Sequence, residues 1–381
     1  ADILSIDTED AERYPGVVCV LTARDVPGVN KIGMCGTKDI PVLADGRVLF
    51  HQQAVAVIAA ETLAAADAAA ELVRVEYAPR TPLTDPMAAM APDAPQLHAD
   101  KPGNICTQKL TEHGNVEAAM AAADVIVTRE YRTQMVEHAY IEPEASLSYP
   151  EGDGVFIWSA TKSAHLDQTE ISRVLGLPKE KVHVRVPYIG GSFGGKSDLP
   201  INGMTALLAM KTGRPVRMTY KREESMRVST KRHPMTLRYT HGARWDGTIV
   251  AVEGEIIADS GAYEGYSPAV LSRTVLHGSG PYNIPNVRMQ AVSVFTNNPT
   301  TGAMRGFGVP QAAFACERQI DILAAKLGMD PMELRLKNAM RPGDIMPSGQ
   351  AATSSTSYYE ALLTAREKMQ EDVQEHPLAP D

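Results

Sequence analysis

Short apolar runs bounded by turn residues recur along this chain of 381 residues. Val17-Val18-Cys19-Val20-Leu21 follows a Pro15-Gly16 turn and reads as a buried strand; Ala54-Val55-Ala56-Val57-Ile58 reads as another. An alanine-rich stretch from Thr62 to about Leu72 predicts a helix, leading into the period-two alternation of Val73-Arg74-Val75-Glu76-Tyr77. Residues 1–78 therefore read as a small α/β unit. From 79 to 115 the composition shifts to Pro, Asp, Ala and Gly without periodicity, which predicts a linker along the surface.

A second unit, 116–345, mixes both periods. Val155-Phe156-Ile157-Trp158 reads as a strand, and residues 164–175 as a helix stopped by Gly176 and Pro178. Val182, Val184 and Val186 alternate with His183 and Arg185, a strand running into a glycine-rich loop. A further helix is expected from about Asn202 to Lys211. Asp246-Gly247 separates two β-rich arms, Met235–Trp245 and Thr248–Ala258, as a hairpin turn does. Asp330-Pro331-Met332-Glu333 places an N-cap, a proline at N1 and a capping-box acid ahead of a helix to about Met340. Residues 346–381 read as a partial C-terminal extension, with Glu371–Asp381 frayed.

Composition narrows the class. With 44% apolar and 22% charged residues, the chain is neither disordered nor fibrous. No run of eighteen apolar residues exists, so no membrane span is expected. A net charge of −9 without a Lys/Arg block argues against nucleic-acid binding. Cys19, Cys35, Cys106 and Cys316 are far apart, which excludes a disulfide scaffold, a zinc ribbon or an iron–sulfur site built from this chain alone; they read as buried small hydrophobes. The first residues carry no signal-peptide pattern. They also lack a Met and open directly on an apolar segment, unlike a natural start.

The richest stretch is Val186-Pro187-Tyr188-Ile189-Gly190-Gly191-Ser192-Phe193-Gly194-Gly195-Lys196-Ser197. Four glycines in six positions let backbone N–H groups turn inward and approach an anionic ligand. Residues 190–197 satisfy the phosphate-loop pattern G-x-x-x-x-G-K-[ST], so nucleotide binding is one reading. Against it, Asp198-Leu199-Pro200 separates the loop from its helix, Phe193 is bulky for such a loop, and no convincing strand ends in a magnesium-binding Asp. A plain structural turn is the third reading.

The loop resembles the G-G-x-F-G-G-K segment of the molybdenum hydroxylases, the xanthine dehydrogenase and aldehyde oxidoreductase family. Ala303-Met304-Arg305-Gly306-Phe307-Gly308-Val309-Pro310-Gln311 is similar to that family's R-G-F/Y-G-x-P-Q segment. Lys231-Arg232-His233-Pro234, Pro281–Asn286, Pro15-Gly16-Val17, Asp45 to Ile58 and Glu142-Pro143 match further landmarks in the same order, so the resemblance covers nearly the whole chain. It implies an α+β chain: an α/β hammerhead over 1–78, with its opening cut off before Ala1, a linker over 79–115, and the first half of a molybdopterin-binding domain over 116–345.

By the same resemblance, Gly191, Ser192, Phe193, Gly194, Lys162 and Arg305 contact a molybdenum–pterin cofactor (molybdopterin or its cytosine dinucleotide), with Phe193, Gly194 and Arg305 beside the metal without ligating it. Phe307 and Arg273 match substrate-contacting positions. Ser197, a third substrate position, stands where the purine-oxidising members carry a glutamate; the chain keeps the arginine at 273 and lacks that acid, which favours a nitrogen heterocycle over a simple aldehyde. Lys162 replaces a common glutamine; either its ammonium donates to an oxygen on the metal, or it points to solvent and the site is degenerate. His138 reads as a hydrogen-bonded core histidine.

The implied activity is hydroxylation of a purine-like heterocycle or an aldehyde, with water as oxygen source. The family's catalytic glutamate and second cofactor-binding half are absent, so no catalytic residue is assigned within this chain. The expected partners are the C-terminal half of the molybdenum subunit, a 2Fe-2S subunit or domain, a flavin (FAD) subunit and a small-molecule substrate, in the cytoplasm. A catalytically silent interaction domain of the same fold is the remaining alternative.

Overall fold

A computed structural model describes residues 1–33, 36–198 and 200–375. In the N-terminal unit Val17–Thr22 pairs antiparallel with Ala56–Ala60, and Asp2–Asp7 pairs antiparallel with Arg74–Ala78. The alanine-rich helix spans Leu63–Ala70. Thr62 caps it, its hydroxyl accepting from the Ala65 N–H at 3.1 Å.

Two sheets follow. The first has four strands in the order Val216–Thr219, Ala145–Glu151, Gly154–Ser159, Val182–Arg185, the last pair parallel. Helices Ala164–Leu175 and Pro200–Thr212 accompany it. Val155, Ile157, Val174, Val182 and Leu208 from this layer share one hydrophobic cluster with Leu21, Val42 and Val57 of the N-terminal unit. The sequence boundary near residue 78 is therefore not a boundary in the core.

The second sheet has five strands in the order Ile105–His113, Val287–Phe295, Ile249–Gly261, Met235–Ala243, Val125–Thr133, with only the 249–261 and 287–295 pair parallel. Helices Ser267–His277 and Val309–Leu327 contribute Val270, Leu271, Ala315, Ile320 and Leu323 to its core. The Asp246-Gly247 hairpin is present: Gly247 has φ +86°, and Asp246 accepts from the Thr248 N–H at 2.9 Å.

Two expectations need correction. Part of the stretch read as a linker, Ile105–His113, is an edge strand of the five-stranded sheet. Its buried positions are few (Cys106 and Thr111), so its alternation was too polar to register. Glu371–Glu375 belong to a helix, Tyr358–Glu375, rather than to a frayed end; 376–381 lie outside the described residues. Cys106 and Cys316 are buried and Cys19 is half-buried, all with free thiols, while Cys35 lies outside the described residues.

Helix Ala164–Leu175 ends as the sequence predicts, with Gly176 at φ +64° and no atom nearer than 3.8 Å, an ordinary van der Waals contact, to where a Cβ would stand. Gly176→Ala is thus a test of backbone strain alone. It is expected to cost about 1 kcal/mol, readable as a shift in the urea midpoint without a change in slope.

Candidate cofactor and substrate site

Two glycine loops meet at the junction of the sheets. The first, 186–198, joins strand Val182–Arg185 to helix Pro200–Thr212; the second, 302–308, enters helix Val309–Leu327. They are bonded directly, the Arg305 N–H donating to the Phe193 carbonyl at 2.8 Å. Each loop carries a phenylalanine in the left-handed region between glycines that share it. Gly191, Phe193 and Gly194 have φ of +97°, +49° and +108°; Gly306, Phe307 and Gly308 have +90°, +51° and +91°. An aromatic residue is strained there, and such strain persists where the surroundings impose it, typically around a ligand.

Close packing explains why the loop is built of glycine. A Cβ on Gly194 would stand 2.5 Å from the Ala303 carbonyl oxygen. One on Gly195 would stand 2.7 Å from the Tyr140 ring and 2.8 Å from His138 Nδ1. Beneath the loop, alternate residues of the segment 138–144 face it. Buried His138 donates from Nε2 to the Ala303 carbonyl at 2.7 Å, as its core reading required. Tyr140, fully buried, donates to Glu144 and lies under Lys196. Burial, then the neighbouring Glu144 carboxylate, push its phenol well above the usual range.

Glu142 ties both ends of the loop. Its Oε2 accepts from the Gly190 N–H at 2.9 Å and from Lys196 Nζ at 2.6 Å. Lys196 is wholly buried, with Nζ 4.8 Å from the Tyr140 ring centroid. Burial raises the Glu142 carboxyl, but the Lys196 ammonium and the Gly190 N–H outweigh it, and the net position is below the ordinary value. This overturns the phosphate-loop reading: a P-loop lysine must reach the phosphates, and this one is consumed inside the protein. Sequence reasoning did not single out Glu142 as a site residue. Its signals were the Glu142-Pro143 landmark and the alternation of His138, Tyr140, Glu142 and Glu144 in an otherwise irregular segment.

Of the other expected residues, Ser192 leaves its buried hydroxyl oxygen without a partner, and the Phe193 side chain is half exposed. Arg305 is exposed; its carbonyl accepts from Arg232 Nη2 at 2.8 Å, so the Lys231–Pro234 landmark supports the second loop. Lys162 is joined to the first loop, its N–H donating to the Lys196 carbonyl at 3.3 Å, and its Nζ sits 5.0 Å from the Tyr266 ring centroid. Phe307 meets Tyr266 edge to face at 5.8 Å. Arg273 is exposed on helix Ser267–His277. Ser197 is placed differently from expectation. It is 1% exposed and its hydroxyl donates to the Gly194 carbonyl at 2.8 Å, so it secures the loop rather than facing a substrate.

Beside Ser197 lies a buried acidic group, Asp167, Glu170 and Asp198. Asp167 accepts from Asn202 Nδ2 at 2.9 Å; burial raises its carboxyl to about 7, with Asp198 adding to the rise. The folded state therefore keeps a proton that the unfolded chain releases near 3.8. Stability contributed by this group is present at low pH and is lost as pH rises towards about 7. Relative to Asp167→Asn, the parent should lose up to about 1.4 kcal/mol per pH unit across that window. A pH series of urea melts in which the two proteins stay parallel would refute the assignment.

The residues fit an anionic, oxygen-rich ligand. Backbone approaches closely at positions where a Cβ would clash, an unpartnered hydroxyl is buried in the loop, and an unpaired arginine stands at the rim.

Comparison with known proteins bears on the same residues. The family described as molybdopterin cofactor-binding domain matches residues 97–339, and the aldehyde oxidase and xanthine dehydrogenase a/b hammerhead domain matches 1–81. The large molybdopterin subunit of nicotinate dehydrogenase from Eubacterium barkeri is 41% identical over 97% of the chain and 86% of its own length. A probable xanthine dehydrogenase subunit from Bacillus subtilis is 42% identical over 91% of the chain and 46% of its own length. A solved structure of the aldehyde oxidoreductase of Desulfovibrio gigas superposes with a TM-score of 0.93 at 34% identity, covering the whole chain but 43% of that protein. The chain thus spans less than half the length of two of these three relatives.

Proposed function

This chain belongs to the molybdopterin-binding family of xanthine dehydrogenases and aldehyde oxidases, and on that premise we propose that it forms one wall of the active site of a molybdenum hydroxylase. The carrying observation is the junction of two strained aromatic–glycine loops through the Arg305-to-Phe193 backbone bond. In this reading Gly191, Ser192, Phe193, Gly194 and Arg305 line the cofactor, Lys162 stands between cofactor and substrate, and Arg273 and Phe307 face the substrate. Ser197 serves the site only by fixing the turn at Gly194.

When bound, the molybdenum–pterin group supplies a two-electron acceptor and activates water. The overall reaction is R–H + H2O → R–OH + 2 H⁺ + 2 e⁻. This chain's own part is to bind and orient. The two phenylalanines offer apolar faces to a planar ring, the glycines exclude side-chain bulk, and the guanidinium of Arg305 offers fixed donors to the cofactor. A nitrogen heterocycle is the preferred substrate class, supported by the name of the nicotinate dehydrogenase relative and by the arginine at position 273; an aldehyde is the alternative.

The remainder of the site comes from outside this chain. Ile141, Tyr188 and Phe193 are large exposed apolar residues around the first loop, as expected of a surface that another part of the subunit covers. In this reading iron–sulfur and flavin partners complete the electron path. Free thiols fit a cytoplasmic location. Among the described residues no helix is long and apolar enough to cross a membrane. A silent interaction module gains nothing from two strained loops, and the relatives named above are oxidoreductases by name.

The test is to isolate the native complex containing this chain and measure molybdenum and pterin. Stoichiometric amounts of both, with oxidation of heterocycles drawing oxygen from labelled water, are the expected result. A complete complex that holds neither would overturn the reading.

A further inference from the structure

Lys162 and Arg273, two of the expected site cations, are exposed. Lys162 is exposed at the rim, with its backbone tied to the first loop and its ammonium over the Tyr266 ring at 5.0 Å. A cation at that distance is held by the ring face, which fixes where its charge stands. Tyr266 is buried and meets Phe307 edge to face, so ammonium, tyrosine and phenylalanine form one connected group. Arg273 lies seven residues after Tyr266, the N-cap of helix Ser267–His277, which is roughly 10 Å along the helix axis. Among the described residues no carboxylate pairs with Lys162 or Arg273. At position 197, where the resemblance implies a glutamate in the purine-oxidising members, this chain has a serine whose hydroxyl donates to the Gly194 carbonyl.

We propose that Lys162, seated on Tyr266 and working with Arg273, makes this site selective for an anionic heteroaromatic substrate, a planar ring carrying a carboxylate. The inference rests on the hydroxylase reading and narrows its substrate. A planar ring lies against Phe307, and the carboxylate reaches the Lys162 ammonium at one end of the group or the Arg273 guanidinium at the other. A neutral ring of the same shape gains the aromatic contact alone. A cationic ring is repelled at both ends. A small aldehyde spans neither. Lys162 thus acts in specificity, which an exposed lysine on a degenerate site would not do.

The experiment uses the assembled holoenzyme and an isosteric pair, pyrazine-2-carboxylate and pyrazine-2-carboxamide, with affinity measured by calorimetry and kcat/KM by turnover. The carboxylate is expected to bind at least about tenfold more tightly, a charge-assisted hydrogen bond's worth, with the preference shrinking as salt is raised. Lys162→Gln should cut the carboxylate-to-carboxamide ratio by roughly tenfold, while Lys162→Arg keeps it within about threefold. Equal affinity for the two ligands, or an unchanged ratio in Lys162→Gln, overturns the proposal. Calorimetry reads the ratio without turnover. A complex lacking molybdenum therefore defeats the hydroxylase reading while the charge preference is still measured, and heterocycle oxidation without charge preference defeats this inference alone.

Discussion

Glu142→Gln is expected to destabilise the protein by about 2–3 kcal/mol and to cost more than Lys196→Met on the other side of the same ion pair. The asymmetry follows from burial. Lys196 is wholly buried while the Glu142 side chain is 35% exposed. Removing the acid strands an ammonium with only the Tyr140 ring for company. Breaking a fully buried pair costs about 3–5 kcal/mol, and the partial exposure of Glu142 lowers that figure here. Methionine at 196 keeps most of the packing and leaves a carboxylate that reaches water and still accepts from Gly190. Glu142→Gln also frees one end of the loop, so molybdenum and pterin content of the isolated complex should fall with it. Urea midpoints and metal analysis on both variants settle the order; a larger loss in Lys196→Met would mean that the lysine acts by packing rather than by charge.

Gly194→Ala is the second large effect. Its added methyl would press on the Ala303 carbonyl at 2.5 Å, and alanine would have to hold φ +108°, outside the regions open to it. Neither can relax independently, because Arg305 is bonded to Phe193 one residue away. The expected outcome is about 3 kcal/mol or more lost, with cofactor content reduced by at least about tenfold. Gly213→Ala serves as control: it too has positive φ, at +67°, but has nothing within 4 Å of its would-be Cβ. It should cost about 1 kcal/mol, the price of backbone strain alone, and leave cofactor content unchanged. If the two variants behave alike, the Gly194 contact with Ala303 is not what shapes the site.

Much of the fold was legible because local patterns agree with it. The helix Ala164–Leu175 ends on a left-handed glycine, Asp330 caps the next-to-last described helix with its carboxylate on the Met332 and Glu333 N–H groups, and the Asp246-Gly247 hairpin forms, with one register shift at Gly242/Ala243. Each signal lies within a few residues of the structure it predicts. The strand Ile105–His113 was not legible. It pairs with Val287–Phe295, far along the chain, and buries too little to show a hydrophobic face. Ser197 was misread for a related reason. Its type and position pointed outward to a substrate, yet the tight turn at Gly194 draws its hydroxyl inward.

The sequence by itself determined the two glycine loops, the aromatic residue in each, and the cations at 162, 273 and 305, because these are matters of residue type and spacing. It also determined that the described cysteines are too scattered to hold a cluster. Only the tertiary structure decided what those residues do to one another. It joined the loops through Arg305 and Phe193, placed Lys196 on Glu142 instead of on a phosphate, and set Lys162 over Tyr266. The physical reason is that a cation's role depends on which opposite charge or ring lies within about 4–6 Å, and here that partner is 54 residues away for Lys196 and further still for Lys162.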